Sequence, residues 1–125
     1  MEISDNAKSL MQQMLQKKLF VALRTPHDLS RFPELLEAHL KWAIAAEKRG
    51  ELFASGPFIE QGGVPGAAGG MSILRAGSLA EAQRILADDP FIREQVYMPF
   101  IKQWMLMEGG LTVSVRFSDQ SYLLR

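Results

Sequence analysis

Apolar side chains recur along this chain with two different periods, and the switches between them lay out its elements. Ile3, Ala7, Leu10, Met11, Met14 and Leu15 fall at helical spacing, with Asp5 near the start and Lys17-Lys18 near the end, where a helix dipole favours them. The continuous apolar run Leu19 to Leu23 follows and stops at Arg24, which predicts a strand covered on both faces. Thr25-Pro26-His27-Asp28 then turns the chain, and His27 beside Asp28 reads as a solvated side chain. A second helical period puts Phe32, Leu36, His39, Leu40, Ala43 and Ala46 on one side and Glu34, Glu37, Lys41 and Lys48 on the other. Pro33 fits only a first turn, and Gly50 supplies the left-handed residue that commonly ends a helix.

Leu52 to Phe58 predicts a second strand, Glu60 to Gly70 a glycine-rich loop, and Met71 to Ala76 a third strand. The loop has no Gly-Lys-Ser/Thr and leads into a strand, so it is read as a connection rather than a phosphate cradle, with a lid over a nearby pocket as the sharper alternative. Ser78-Leu79-Ala80-Glu81 is a capping box for a second long helix whose inner side is Leu79, Ala82, Ile85 and Leu86. Pro90 disfavours helical geometry at Asp89, so that carboxylate projects from extended or turning backbone. Ile92 to Tyr97 reads as a mixed connection and Phe100 to Met107 as a fourth strand. Beyond the hairpin signal Glu108-Gly109-Gly110, Leu111, Val113, Val115 and Phe117 alternate with Thr112, Ser114 and Arg116, predicting a half-buried fifth strand. The final SDQSYLLR has no clear period and reads as a tail or edge segment.

Strand, helix, strand, strand, helix, strand is the split βαβ (βαββαβ) order of an α+β, ferredoxin-like fold, with two helices on one face of a four-stranded antiparallel sheet. The expected division is an N-terminal helical extension at 1–18, the α+β domain at 19–117 and a C-terminal tail at 118–125. That fold leaves one sheet face open, yet strand four carries Phe100, Trp104 and Leu106 on one side and Ile101, Met105 and Met107 on the other. Each large apolar side chain contributes roughly 1.5–3 kcal/mol when buried, so a homodimer with sheets face to face is expected. The N-terminal helix either packs on its own domain or reaches a second subunit; with the fifth strand it could instead cover the sheet within one chain.

Charge and composition narrow the partners. Lys+Arg 14 balance Asp+Glu 14 with no basic stripe, which argues against nucleic acid and anionic membrane surfaces. No apolar run reaches the roughly 20 residues that a bilayer demands, and the N-terminus lacks the basic start and apolar core of a signal peptide. With no cysteine there is no disulfide framework, thiolate metal site or thiol nucleophile, and a cytoplasmic location is expected. Two histidines without suitable carboxylate spacing make a poor metal set, so none is expected.

His39 is the residue out of place. Burying a neutral imidazole without a partner costs roughly 1–3 kcal/mol, so something must hydrogen-bond it. Asp88 and Asp89 are both available, and such a contact can equally be a purely structural lock between helix and loop.

His39-Leu40, Gly50, the strand ending Ala54-Ser55-Gly56-Pro57, and Asp89-Pro90-Phe91 after the second helix together resemble the YciI-like (YCII-related) family of the dimeric α+β barrel superfamily. The resemblance covers about Leu19 to Met107 and implies that His39 and Asp89 form the acid/base dyad held to be that family's active site, with Asp89 preferred to Asp88 on this ground alone. It implies a dimer and a small-molecule ligand, and a branch of the family is associated with dehydrohalogenation of chlorinated aromatic compounds. The N-terminal helix and the strand after Gly110 depart from the compact family pattern. A carboxylate on one ring nitrogen fixes the tautomer so that the other nitrogen can take or give a proton. Ser55, Gly56 and Pro57 are placed at the pocket wall, and Arg24 or Arg75 is assigned to hold an anionic substrate or enolate. No cofactor is expected; some superfamily members bind haem, but nothing in these residues favours it. The expectation is a cofactor-free lyase or isomerase acting on a small aromatic or enolic molecule, with a non-catalytic ligand-binding or accessory dimer as the alternative.

Overall fold

The structure, a computed structural model, describes all 125 residues. Its elements in chain order are α1 (Asp5–Gln13), β1 (Lys17–Pro26), a 3-10 turn (Leu29–Arg31), α2 (Phe32–Lys48), β2 (Leu52–Pro57) and β3 (Gly70–Leu74). After these come α3 (Leu79–Ala87), the single turn α4 (Pro90–Arg93), β4 (Tyr97–Leu106), β5 (Val113–Val115) and β6 (Tyr122–Leu124). The chain divides into two units, Lys18–Met105 and the terminal segments Met1–Lys17 with Leu106–Arg125.

Within Lys18–Met105 the sheet runs β2-β3-β1-β4, the order of the split βαβ fold. β3 pairs antiparallel with both β1 and β2, in registers that set Ala22 and Ser55 on either side of Ser72. The N–H groups of His27 and Asp28 both donate to the Val96 carbonyl, joining the end of β1 to the start of β4. Phe20, Ala22 and Leu74 turn to one face, where they pack with Ala46 of α2 and with Ala82, Ile85 and Leu86 of α3. Period-2 strands and period-3.6 helices thus bury their apolar stripes against each other, as the α+β reading requires.

The other face is much less covered. Val21, Leu23, Met71, Ile73, Phe100 and Trp104 line a shallow cleft there, with Leu23 38%, Phe100 57% and Trp104 38% exposed.

Helix boundaries follow from local chemistry. Pro33 sits in the first turn of α2, and Gly50 (φ 82°) turns the chain out of it. Ser78 accepts from the Glu81 N–H while Glu81 accepts from the Gly77 N–H, so the capping motif closes one residue earlier than the standard reciprocal pair.

The C-terminal region corrects the sequence reading. The expected fifth strand is shorter than Leu111–Phe117 and is not half-buried: Val113 and Val115 are exposed. Its partner is the stretch read as a tail or edge segment, and the second of these holds: Tyr122–Leu124 pairs with Val113–Val115 as a separate two-stranded ribbon. Alternation marks a strand but not its partner, and Asp119 accepting from the Ser121 N–H makes the turn that brings β6 back. The fourth strand also begins earlier than Phe100, at Tyr97, because α4 (Pro90–Arg93) takes up only Ile92 and Arg93 of the stretch read as a mixed connection. No helix is long and apolar enough to cross a membrane.

Leu74 is fully buried opposite Phe20 and Leu52. Leu74→Ala is expected to lower unfolding stability by about 2–5 kcal/mol, measured by urea denaturation, because a sheet pinned under two helices closes poorly over the cavity.

Candidate active site

The site begins with Asp89. Pro90 forces the preceding backbone into extended geometry (φ −68°, ψ 121°), which aims the carboxylate back over the start of α4. Its Oδ1 accepts from the Phe91 N–H at 3.0 Å and from His39 Nδ1 at 2.8 Å. The Asp-Pro-Phe sequence thus places three things at once: Asp89 at the imidazole edge, an extended hinge, and the Phe91 ring on the imidazole face, 4.3 Å between centroids and 21° from parallel. Phe32 stacks behind Phe91 at 5.2 Å. Both members of the pair are buried, and Asp88 is exposed at the end of α3, so Asp89 is the carboxylate that meets the histidine.

With Nδ1–H donated to Asp89, Nε2 carries the lone pair, and it accepts from Nη1–H of Arg24 at 3.4 Å. Arg24 comes from β1 on the core side of the sheet and is itself buried. Its Nη2 donates to the Gly56 carbonyl at 3.0 Å. Burial lowers the guanidinium pKa, and the negative charge of Asp89 works against that shift. Arg24 can lie here because Gly70 has no side chain. A β-carbon at Gly70 would collide with the guanidinium and with the Gly56 carbonyl.

These groups open onto a cavity of about 560 Å³ between α2, β2 and the glycine-rich loop. His39, Arg24, Ser55, Tyr97 and, at the end of α2, Glu47 supply its polar wall, while Leu36, Leu40, Ile44 and Phe53 make much of the rest apolar. The loop after β2 contributes Val64, Pro65, Gly66 and Gly69. It is tied at Gly66, whose carbonyl accepts from the buried Tyr97 hydroxyl at 2.5 Å, and at Gly69, whose carbonyl accepts from the Phe58 N–H.

His39, Asp89, Arg24, Ser55, Gly56 and Pro57 are therefore brought together, Asp89 through His39 and the others at the cavity itself. Arg75 is not. Its guanidinium lies 5.0 Å from the Phe53 ring centroid and reaches the carbonyls of Gly50 and Leu52, away from the imidazole. The strand pattern could not separate the two arginines, because only the pairing shows that Arg24 points to the helix-covered side. Exposed His27 stays at the turn. Tyr97, Ser72 and Gly70 join the site only in the fold: a tyrosine at a strand start, a serine in an apolar strand and one glycine among several carry no signal of their own.

No metal-binding cluster of His, Cys, Asp or Glu is present. A buried His–Asp pair thus lies beside a polar-tipped apolar cavity on a ferredoxin-like sheet. The chain belongs to the YCII-related family, whose domain matches residues 18–104. A search of curated proteins finds no match. Among solved structures, it is similar to the 5-chloro-2-hydroxyhydroquinone dehydrochlorinase TftG of Burkholderia phenoliruptrix AC1100, in complex with 2,5-dihydroxybenzoquinone. The TM-score is 0.58 at 22% identity, over 69% of this chain and 92% of that one, which establishes a shared fold.

Two outcomes test this geometry. Gly70→Ala is expected to cost roughly 1–3 kcal/mol by forcing Arg24 and the β2 backbone apart, whereas Gly110→Ala, with open space around it, stays within about 0.5 kcal/mol in the same denaturation assay. Tyr97 holds its proton above the ordinary phenol value because burial disfavours the phenolate. The unfolded chain ionises first, so this contribution is full below about pH 10 and is lost as pH rises through the folded-state value. Stability measured between about pH 8 and 11 should therefore fall less steeply in Tyr97→Phe than in the wild type.

Proposed function

We propose that this chain is a cofactor-independent enzyme of the lyase or isomerase type, moving a proton on a small aromatic or enolic molecule in the manner of a dehydrohalogenase. The observation that carries the reading is the 2.8 Å contact of His39 Nδ1 with Asp89 at the wall of an open cavity. Asp89 fixes the tautomer and stabilises the imidazolium that forms; Nη1–H of Arg24 turns from Nε2 to a substrate oxygen, and the freed Nε2 lone pair accepts a proton from the substrate. The electron pair left behind settles on a substrate oxygen beside Arg24. In an elimination it then expels a halide ion and closes a double bond; in an isomerisation the proton returns to a different atom. Arg24 is suited to the developing oxyanion, since a buried guanidinium acts more strongly than a solvated one.

The apolar walls favour a ring-sized body, and the dehydrochlorinase with its bound dihydroxyquinone supports a ligand of that kind here. Assembly belongs to the same reading: a second copy laid against the open sheet face would cover Leu23, Phe100 and Trp104, giving a homodimer.

His39→Ala is expected to lose on the order of 10²–10⁴-fold in turnover of a halogenated hydroquinone while keeping its fold, followed by halide release and circular dichroism. Undiminished turnover in the variant would sink the proposal. Light scattering should give the mass of two chains, and Trp104→Glu should shift it toward one.

A further inference from the structure

Ser55 and Ser72 face each other across the β2–β3 ladder with their hydroxyl oxygens 2.9 Å apart, and their surroundings differ sharply. Ser72 is fully buried, flanked by Ala22 on one side, and its side chain has no hydrogen-bond partner except Ser55. Ser55 lies at the cavity wall, one residue from the carbonyl that holds Arg24.

The distance alone permits either hydroxyl to donate, but the burial does not. If Ser55 donated, the Ser72 proton would be left in the interior with no acceptor, a penalty that folded proteins avoid. If Ser72 donates, its one proton is satisfied and the Ser55 oxygen is filled from behind. The Ser55 proton is then free to point into the cavity, where water or a ligand can accept it.

We infer that Ser72 is a positioning residue that turns the Ser55 hydroxyl into a directed hydrogen-bond donor for a second oxygen of the substrate, beside the oxygen held by Arg24. This rests on the small-molecule reading of the cavity and adds a requirement to it. The preferred ligand is a ring bearing at least two oxygen acceptors, one for the guanidinium and one for Ser55. A singly oxygenated ring fills the same apolar space but leaves a donor unused, which weakens its binding.

The experiment is a double-mutant cycle on the full chain, read in thermal stability without ligand and in affinity for 2,5-dihydroxybenzoquinone. Ser55→Val fills the hydroxyl space with a methyl group and strands the Ser72 proton, so Tm should fall by about 3–8 °C. Adding Ser72→Ala removes the stranded group and should recover most of that loss. Ser55→Thr keeps a hydroxyl and should keep both stability and affinity. In binding, Ser55→Val and Ser72→Ala should each weaken the quinone on the order of 10-fold, and the double variant should be no worse than Ser55→Val alone. Affinity for chlorobenzene, which has no oxygen, should be unchanged by Ser72→Ala.

A cycle with no recovery in Tm overturns the assigned direction of the Ser72 bond. A wild-type chain that does not bind the quinone overturns the two-oxygen ligand. The recovery and the selective loss of quinone affinity, seen together with His39→Ala retaining turnover, would support the donor while rejecting the chemistry proposed for the dyad.

Discussion

The contact between Asp89 and His39 is the constraint on which the functional half of the molecule is built. A carboxylate and an imidazole buried together are tolerable only if each has a partner, and each is supplied by a different element. α2 brings the ring, the residue before Pro90 brings the acid, and the Phe91 N–H fastens the acid in place. Because Oδ1 is held by the first-turn N–H of α4 and also reaches the ring on α2, moving α4 relative to α2 would break the bond to the imidazole. The helix-to-turn packing and the orientation of the imidazole are therefore one arrangement.

Arg24 makes the site more than a locked pair. A guanidinium brought in from the sheet beside Nε2 sets a positive charge at the cavity wall, and the glycine under it is what makes room. Tyr97 closes the arrangement from β4, holding the loop wall at Gly66. Four elements and a loop thus converge on one end of the sheet. Charges facing one another in that low-dielectric space interact far more strongly than they would on the surface.

The family match covers the unit that carries this site, and the terminal segments lie outside it. Those segments hold α1 and the β5–β6 ribbon, both with exposed apolar side chains. A two-stranded ribbon and a nine-residue helix have little stability of their own in water, so what they pack against decides their order.

Periodicity alone determined the element order, the helix limits at Pro33 and Gly50, the strand-helix alternation that specifies a split βαβ sheet, and the oddity of a histidine on an apolar helix face. These are local or repetitive properties, and the physics that produces them acts within a few residues. Resemblance added the pairing of His39 with Asp89, which spacing left open against Asp88. Only the tertiary structure separated Arg24 from Arg75, found Tyr97 and Ser72, and paired Val113–Val115 with Tyr122–Leu124. Each of those depends on which strand lies next to which and which face is covered. Residues 50 apart in the chain, as His39 and Asp89 are, become neighbours only when the whole sheet and its helices have closed.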